Sequence, residues 1–418
     1  MVYVAPATTR VARLPNEFTE LIVRVSRCPS RSSPTTHGGE RSHCRGALSG
    51  AAGRQAARNL SGGGDWRAAA PSRQHSFVPT SPFPADSADV ADVAHWLMTT
   101  DSTSGSETCL THLFGDALAT RGWSLTRIPA PDGREVLLAT SGDGPYVTLS
   151  THLDTVPPYL PPRRDASRLY GRGACDAKGI AAAMLCAAER LAQAGEERVD
   201  LLFVVGEEKG SDGARAANHL PATSKYLVNG EPTESKLASG AKGSQRVIVR
   251  TRGRAAHSAY AELGVSAIEP MLALLPTAKL LPLPTDPVLG DTTVNIGTIH
   301  GGTEANIIPA LCESELMFRL VSDVAPLREA IVAWADGKAE LEWGSHIPTQ
   351  RFHTIPGFEV APVAYTSDIP LLSRWGTPLL FGPGSIHVAH TTEEFIEVDE
   401  LRAAVDAYER IARAVLAT

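Results

Sequence analysis

Residues 201–208, Leu-Leu-Phe-Val-Val-Gly-Glu-Glu, decide the fold class of this chain. Five consecutive apolar residues are typical of a strand that is covered on both faces. Glu207 and Glu208 come directly after this strand, at the edge where open α/β sheets bind their ligands. Because two adjacent glutamates would repel each other there without cations, we expect one to bind metal and the other to carry protons.

Short apolar runs on both sides of this segment extend the same pattern. They are typical of strands, and they alternate with amphipathic segments of helix length, such as 179–194 and 398–416. This order predicts an α/β domain with a mostly parallel sheet. The additional strand candidates are residues 136–139, 146–149, 226–228 and 379–381.

From residue 241 to about 345 the predicted strands and helices follow a different order. This order, β-α-β-β-α-β, is that of a ferredoxin-like α+β module. Because α/β sequence lies on both sides, the module is expected to be inserted into the first domain. The predicted elements are a strand at 246–251, a helix at 266–281, strands at 292–299 and 314–321, a helix at 326–334 and a strand at 339–343.

Composition narrows the class of protein. The 418 residues are 43% hydrophobic and have a net charge of -7, and no apolar run is long enough to cross a membrane. Residues 1–84 hold eleven arginines and four acids, and we expect them to be a disordered basic extension. This extension resembles a transit peptide in composition, but a dispensable tail or a mis-set translation start fits equally. The acidic remainder of the chain argues against binding nucleic acid.

The six cysteines form no C-x-x-C pair. Their spacing predicts neither a disulfide framework nor a cysteine zinc site, and a reducing cytoplasm fits best.

Four further polar clusters complete the candidate site, and most of them follow a predicted strand. Histidine and carboxylate donors together suit zinc and similar ions, and two adjacent ions can activate water and polarise a carbonyl. In the last of these clusters, His387 is an alternative to His390 as the candidate metal ligand. The clusters are Ser-Thr-His-Leu-Asp-Thr-Val-Pro at 150–157 with His152 and Asp154, Gly-Arg-Gly-Ala-Cys-Asp-Ala-Lys-Gly at 171–179 with Asp176, Asn-Gly-Glu-Pro-Thr at 229–233 with Glu231, and Gly-Pro-Gly-Ser-Ile-His-Val-Ala-His at 382–390 with His390.

At these five clusters the chain resembles the M20 metallopeptidase and deacylase family, over about residues 95–415. The family includes acetylornithine deacetylase, succinyl-diaminopimelate desuccinylase, aminoacylase and carboxypeptidase G-type enzymes. One departure is Ala177, where members often carry methionine. The resemblance implies two zinc ions, with cobalt or manganese as possible substitutes. It implies that His152 and Glu231 bind one ion, that Glu208 and His390 bind the other, that Asp176 bridges them, that Glu207 is the general base and that Asp154 supports His152.

The resemblance also assigns the inserted module as a lid that dimerises. His257 would then reach the active site of a partner subunit and stabilise the oxyanion, while Asn306 and Arg319 would bind a substrate carboxylate. The expected assembly is a homodimer, and the expected domains are 85–240 and 349–418 for catalysis and 241–348 for the lid.

The substrate implied by the resemblance is a small N-acylated amino acid or dipeptide, with acetylornithine deacetylation first. Desuccinylation of diaminopimelate, a lysine-releasing hydrolase and a small dipeptidase or aminopeptidase are alternatives within the family. A scaffold protein without activity is the competing class. It predicts a broken base or bridge, yet Glu207 and Asp176 are both intact.

Overall fold

A computed structural model describes residues 79, 81–85, 88–142, 144, 146–221 and 224–418. No helix in this part of the chain is long and apolar enough to span a membrane. The described residues form seven α-helices: α1 (Val90–Met98), α2 (Thr108–Thr120), α3 (Lys178–Gln193), α4 (Asp212–Ala217), α5 (Ile268–Leu274), α6 (Val324–Ala335) and α7 (Val398–Leu416).

The strands of the same residues fall into a six-stranded, a four-stranded and three smaller sheets. The strands are β1 (Ser124–Pro129), β2 (Glu135–Thr140), β3 (Val147–His152), β4 (Arg163–Arg164), β5 (Arg168–Tyr170), β6 (Val199–Val204), β7 (Tyr226–Asn229), β8 (Leu237–Ala241), β9 (Gly243–Arg252), β10 (Thr285–Asp286), β11 (Gly290–Asp291), β12 (Thr293–Gly301), β13 (Leu311–Leu320), β14 (Glu340–Ile347), β15 (Gln350–Arg351), β16 (Val360–Val363), β17 (Thr377–Leu380) and β18 (Phe395–Glu397).

The central sheet has the order β1-β2-β6-β3-β7-β17. Strands β6, β3, β7 and β17 run parallel, whereas β1 and β2 form an antiparallel edge. Every residue of β3 and β6 is buried. Along β6, Leu201 and Phe203 pack into the core with α1, α2, α3 and α7, while Leu202 and Val204 pack into a second core with α4. Helices therefore cover both faces, which confirms the predicted mostly parallel α/β sheet.

Residues 243–347 form the second large sheet, in the antiparallel order β12-β13-β9-β14. Its strands and helices follow the expected β-α-β-β-α-β order, and α5 and α6 cover one face. One predicted element is shorter than expected. The helix expected at 266–281 is α-helical only in α5 and continues as a 3₁₀ helix over Leu275–Leu280, because Pro276 has no N–H to donate to the carbonyl of the preceding turn.

The expected disordered extension, residues 1–84, lies mostly outside the described residues, but its last residues need a correction. Phe83 packs against Trp96 and Phe114, with ring centroids 4.7 and 5.8 Å apart. The carbonyl of Ser81 accepts a hydrogen bond from the Trp96 indole at 3.1 Å. Residues 81–84 are therefore part of the folded domain. Burying an aromatic side chain against an apolar surface is favourable, because it removes that side chain from water.

Two small sheets, β15-β8-β16 and β18-β5-β4, have no counterpart in the sequence analysis. Their strands are two to five residues long, too short to give a readable alternation. The sheet of β18, β5 and β4 places the segment 391–395 against the loop that carries Asp176.

Candidate dinuclear metal centre

The candidate ligands gather at one edge of the central sheet. His152 ends β3, Glu208 follows β6 and Glu231 follows β7. Because these strands are parallel, their carboxyl ends meet at the same edge. The turn after β6 depends on Gly206, which has φ 73° and whose added Cβ would lie 2.7 Å from Arg134 Nη1. A glycine is therefore required where the chain turns to present Glu207 and Glu208.

Asp176 joins two groups of candidate ligands. One group is His152, Asp176 and Glu231, and the other is Asp176, Glu208 and His390; within each, the ligand atoms all lie within 4.8 Å of one another. Asp176 Oδ1 lies 3.0 Å from His152 Nε2, and Asp176 Oδ2 lies 3.1 Å from His390 Nε2. His390 Nε2 is also 2.9 Å from Glu208 Oε1. The structure thus brings all five candidate ligands together.

His390 belongs to this cluster, and the alternative candidate His387 does not. Its backbone has φ 64°, a left-handed conformation that a residue other than glycine adopts at a cost of about 1–3 kcal/mol. Such strain persists where surrounding contacts over-determine the conformation. His387 is exposed and is a member of neither group.

The electrostatics of these residues fit metal ions. Glu231 Oε1 is buried and has no hydrogen-bond partner among the described residues, and an unpaired buried carboxylate oxygen is costly. Burial raises the pKa of Glu231 well above its usual range, and the His152 charge only partly offsets this effect. Hydrogen bonds with Asp176 and Glu208 raise the pKa of His390 to about 10. A positive charge is therefore strongly favoured here, and oxygen and imidazole donors suit zinc-like ions.

Asp154 contacts His152, as expected, and also holds the turn that follows β6. His152 Nδ1 lies 2.9 Å from the backbone carbonyl of Asp154 and 3.6 Å from its carboxylate. The carboxylate also accepts hydrogen bonds from the backbone N–H groups of Glu207 and Glu208, at 3.0 and 3.1 Å, and from Ser104 Oγ at 2.8 Å. Asp154 therefore holds the turn that presents both glutamates, and its main chain orients the imidazole.

Glu207 lies beside the two ligand groups and belongs to neither. Burial raises the pKa of Glu207 well above its usual range, and the nearby charges of Glu231 and Asp368 raise it further. A carboxylate with a raised pKa is suited to accept and release a proton near neutral pH.

The three lid candidates belong to the segment that forms the second large sheet. His257 and Asn306 are exposed neighbours: His257 forms a β-bridge with Ile307, and Ser258 N donates to the Asn306 carbonyl at 2.9 Å. Arg319 lies on β13 and is half-buried, and burial lowers its pKa. Within the described part of the chain, none of the three forms a hydrogen bond or ion pair with the candidate ligands.

Several charged residues around the centre were not predicted from the sequence. Asp368 is buried, and its charge raises the pKa of Glu207. Arg172 and Glu394 form a buried ion pair behind Asp176. Charged residues are ordinarily exposed. Only the folded structure, in which these three are buried, therefore distinguishes them from surface charges.

Comparisons with known proteins agree with this geometry. A peptidase M20 domain protein of Schizosaccharomyces pombe is 36% identical over 327 residues, which cover 75% of this chain and 82% of the relative. A probable carboxypeptidase of Aspergillus flavus is 37% identical over 66% of this chain and 74% of its own length. The crystal structure of a tripeptidase from Staphylococcus aureus has a TM-score of 0.66 at 20% identity and covers 80% of this chain and 99% of that structure.

The family model described as "Peptidase family M20/M25/M40" matches residues 148–414. These residues run from within β3 to within α7 and so include all five candidate ligands. The enzyme class predicted from the sequence, a metal-dependent amide hydrolase, is thereby confirmed. The chain belongs to peptidase family M20/M25/M40.

Proposed function

We propose that this chain uses two metal ions to hydrolyse the amide bond of a small N-acylated amino acid or a short peptide. The observation that carries the proposal is the sharing of Asp176 between two ligand groups, with Glu207 beside them. Five potential ligands supply two imidazoles and three carboxylates. This donor set suits zinc, and cobalt or manganese are candidate substitutes.

His152, Asp176 and Glu231 would hold one ion, and Asp176, Glu208 and His390 the other. When bound, the ions would polarise a substrate carbonyl and make water acidic enough to deprotonate near neutral pH.

Glu207 handles the protons in this proposal. Its carboxylate accepts a proton from the water whose oxygen attacks the amide carbon. The same carboxylic acid then protonates the nitrogen as the C–N bond breaks, which releases a carboxylate and an amine. Burial raises the pKa of Glu207, which brings its proton affinity closer to that of the groups with which it exchanges the proton.

Asp154 fixes the position of Glu207 during this transfer. Its hydrogen bonds to the N–H groups of Glu207 and Glu208 leave the base little freedom to move relative to the ligands. A base that is held within hydrogen-bond reach of the reacting atoms avoids the entropy loss of being ordered during the reaction.

Deacetylation of an N-acetylated amino acid such as acetylornithine is the first activity to test. Carboxypeptidase-type cleavage of a short peptide is the second, and the name of the Aspergillus flavus relative supports it. In both cases the substrate carries a free carboxylate. Asn306 and Arg319 are the proposed contacts for that carboxylate, since a guanidinium binds it through two parallel hydrogen bonds.

We further propose that residues 241–348 act as a lid and that two chains associate through it. The lid sheet has exposed strands at both edges, β12 and β14, and such edges can pair with another chain. His257 would then contribute to the site of the second subunit. The four described cysteines are all free thiols, which is compatible with the proposed cytoplasmic location.

The test is reconstitution of the metal-free protein. Chelator-treated protein is reloaded with zinc, its metal content is measured, and hydrolysis is followed on N-acetyl and N-succinyl amino acids and on dipeptides blocked at either end. We expect two ions per chain and turnover on at least one substrate, lost after chelation and restored by zinc. Full metal loading without turnover on any of these substrates would support the scaffold class instead.

A further inference from the structure

The loop that carries Asp176 is held from behind by one carboxylate. Glu394 Oε1 accepts hydrogen bonds from the backbone N–H groups of Gly173, Cys175 and Asp176, at 3.0, 3.3 and 3.3 Å. The Glu394 side chain has no exposed surface. Three N–H donors on one ionised oxygen fix the loop backbone, because hydrogen bonds to a charged acceptor are stronger than those between neutral groups.

Arg172 neutralises this carboxylate from the other side. Its Nη1 donates to Glu394 Oε2 at 2.5 Å and to the carbonyl of Thr391 at 3.2 Å. Only 2% of the Arg172 side chain is exposed. A buried charge pair of this kind adds little net stability, yet removing one partner leaves an uncompensated charge. Stability alone is therefore a poor explanation for the pair.

The position of the pair suggests a different explanation. Thr391 directly follows His390, so the Arg172 side chain links the Asp176 loop to the segment that carries the histidine. A backbone hydrogen bond from Gly171 N to the Glu394 carbonyl, at 3.0 Å, strengthens the link. By contrast, His152 and Glu231 are placed by β3 and β7, which are paired within the central sheet.

We propose that Arg172 and Glu394 are a positioning pair that fixes Asp176 and His390 relative to each other. The pair thereby sets the metal affinity of the group formed by Asp176, Glu208 and His390. This inference rests on the proposed function, since it concerns the same two-metal centre. Neither residue touches the reacting atoms.

The experiment is a metal titration of the full-length protein and its Glu394→Gln variant, starting from the metal-free form. Binding of zinc is followed by calorimetry, and binding of cobalt by its absorption spectrum. The two binding steps are assigned with His390→Ala, which removes a ligand from one group only, and Glu231→Ala, which removes a ligand from the other.

His390→Ala identifies the binding step of the group formed by Asp176, Glu208 and His390. Glu394→Gln is expected to lower the metal affinity of that step by about 10–100-fold, as is typical when a partner that orients a metal ligand is lost. The step that Glu231→Ala weakens should change much less. Arg172→Lys keeps the charge but is too short to hold Glu394 and Thr391 together, so it should weaken the same step even if Glu394→Gln folds poorly. The matched control is Glu397→Gln, from the nearby half-exposed pair of Arg168 and Glu397, and it should change neither step.

A purely structural role would give a different result. In that case the Arg172 and Glu394 variants would lower the melting temperature of the metal-free protein and leave both binding steps as in the native protein, which would overturn the inference. If the native protein itself bound fewer than two ions, the proposed function would fail first. The two failures are therefore distinguishable.

Discussion

The carboxylate of Asp154 illustrates how single residues organise this site. Its three hydrogen bonds, from Ser104 and from the Glu207 and Glu208 backbone, go to a charged acceptor, which makes them stronger than bonds between neutral groups. Burial alone would raise the pKa of Asp154, but hydrogen bonding and the His152 charge lower it below its usual value. Asp154 therefore stays ionised, and an ionised carboxylate is what keeps the turn in place.

Asp200 is a buried acid outside the site, and it predicts a pH dependence of stability. Asp200 is 1% exposed, and its Oδ2 has no hydrogen-bond partner among the described residues. Burial raises its pKa from 3.8 to about 7. Between these two values the folded chain keeps a proton that the unfolded chain has released, so the Asp200 contribution to stability falls as pH rises through this range.

We therefore expect Asp200→Asn to be close to neutral at pH 4 and to raise the free energy of unfolding by about 1–3 kcal/mol at pH 8. Denaturant unfolding of both proteins across this pH range measures the difference. Asp116→Asn, at a side chain that is 80% exposed, is the control and should show no such trend. A constant difference between native protein and Asp200→Asn at all pH values would contradict the prediction.

Among the structural elements, the segment 81–85 is expected to contribute measurably to the stability of the folded chain. Phe83 lies between Trp96 and Phe114, and the guanidinium of Arg121 stacks on its ring at 4.6 Å. Deleting residues 1–78 should leave the melting temperature nearly unchanged, because their composition predicts no packed core. Deleting residues 1–84 should lower the free energy of unfolding by about 2–4 kcal/mol, through lost aromatic burial and hydrogen bonds. Thermal and denaturant unfolding of the two truncations test this.

Phe83→Ala in the full-length chain is the matched variant, and it should give about half of that loss. A large loss of stability on deleting 1–78 would contradict the account, since it would mean that the basic extension contributes to the folded body.

Elements also explain how far the sequence could predict the site. His152, Glu208 and Glu231 follow buried parallel strands, and the convergence of such strand ends is a property of the topology. Residues 201–205 are all apolar, so the end of β6 ahead of Glu207 and Glu208 can be read directly from the sequence. Strand β3 is equally buried but includes Thr148, Ser150 and Thr151, so its end is less plain. The clustering of these candidates could therefore be predicted before the structure was known.

Other parts of the site depend on contacts that no local pattern encodes. Arg172 and Glu394 are 222 residues apart, and each looks like an ordinary surface charge in sequence. The contact of Asp154 with the turn at Glu207 likewise depends on how β3 and β6 pair. The sequence predicted that Asp154 lies near His152, but not that its carboxylate would bind the neighbouring turn.

At the scale of the whole molecule, the proposed dimer can be tested by complementation. Glu207→Gln and His257→Ala are each expected to be nearly inactive alone. In a dimer that contains one chain of each, one site has an intact Glu207 and faces an intact partner His257. Random pairing of equal amounts should therefore restore about a quarter of native activity. The measurement is turnover after co-expression of the two variants.

No recovery of activity, with mixed dimers demonstrated, would mean that His257 does not serve the partner site. A protein that elutes as a monomer at all concentrations in size-exclusion chromatography would contradict the proposed assembly itself.

If Glu207 moves protons beside a two-metal centre, its loss must show in the turnover number of metal-loaded Glu207→Gln. Glu207 belongs to neither ligand group, so the variant should bind metal as the native protein does, which metal analysis can verify. We predict that its turnover number falls by about 10²–10⁴-fold with two ions still bound. Turnover near the native value in the fully loaded variant would contradict the account.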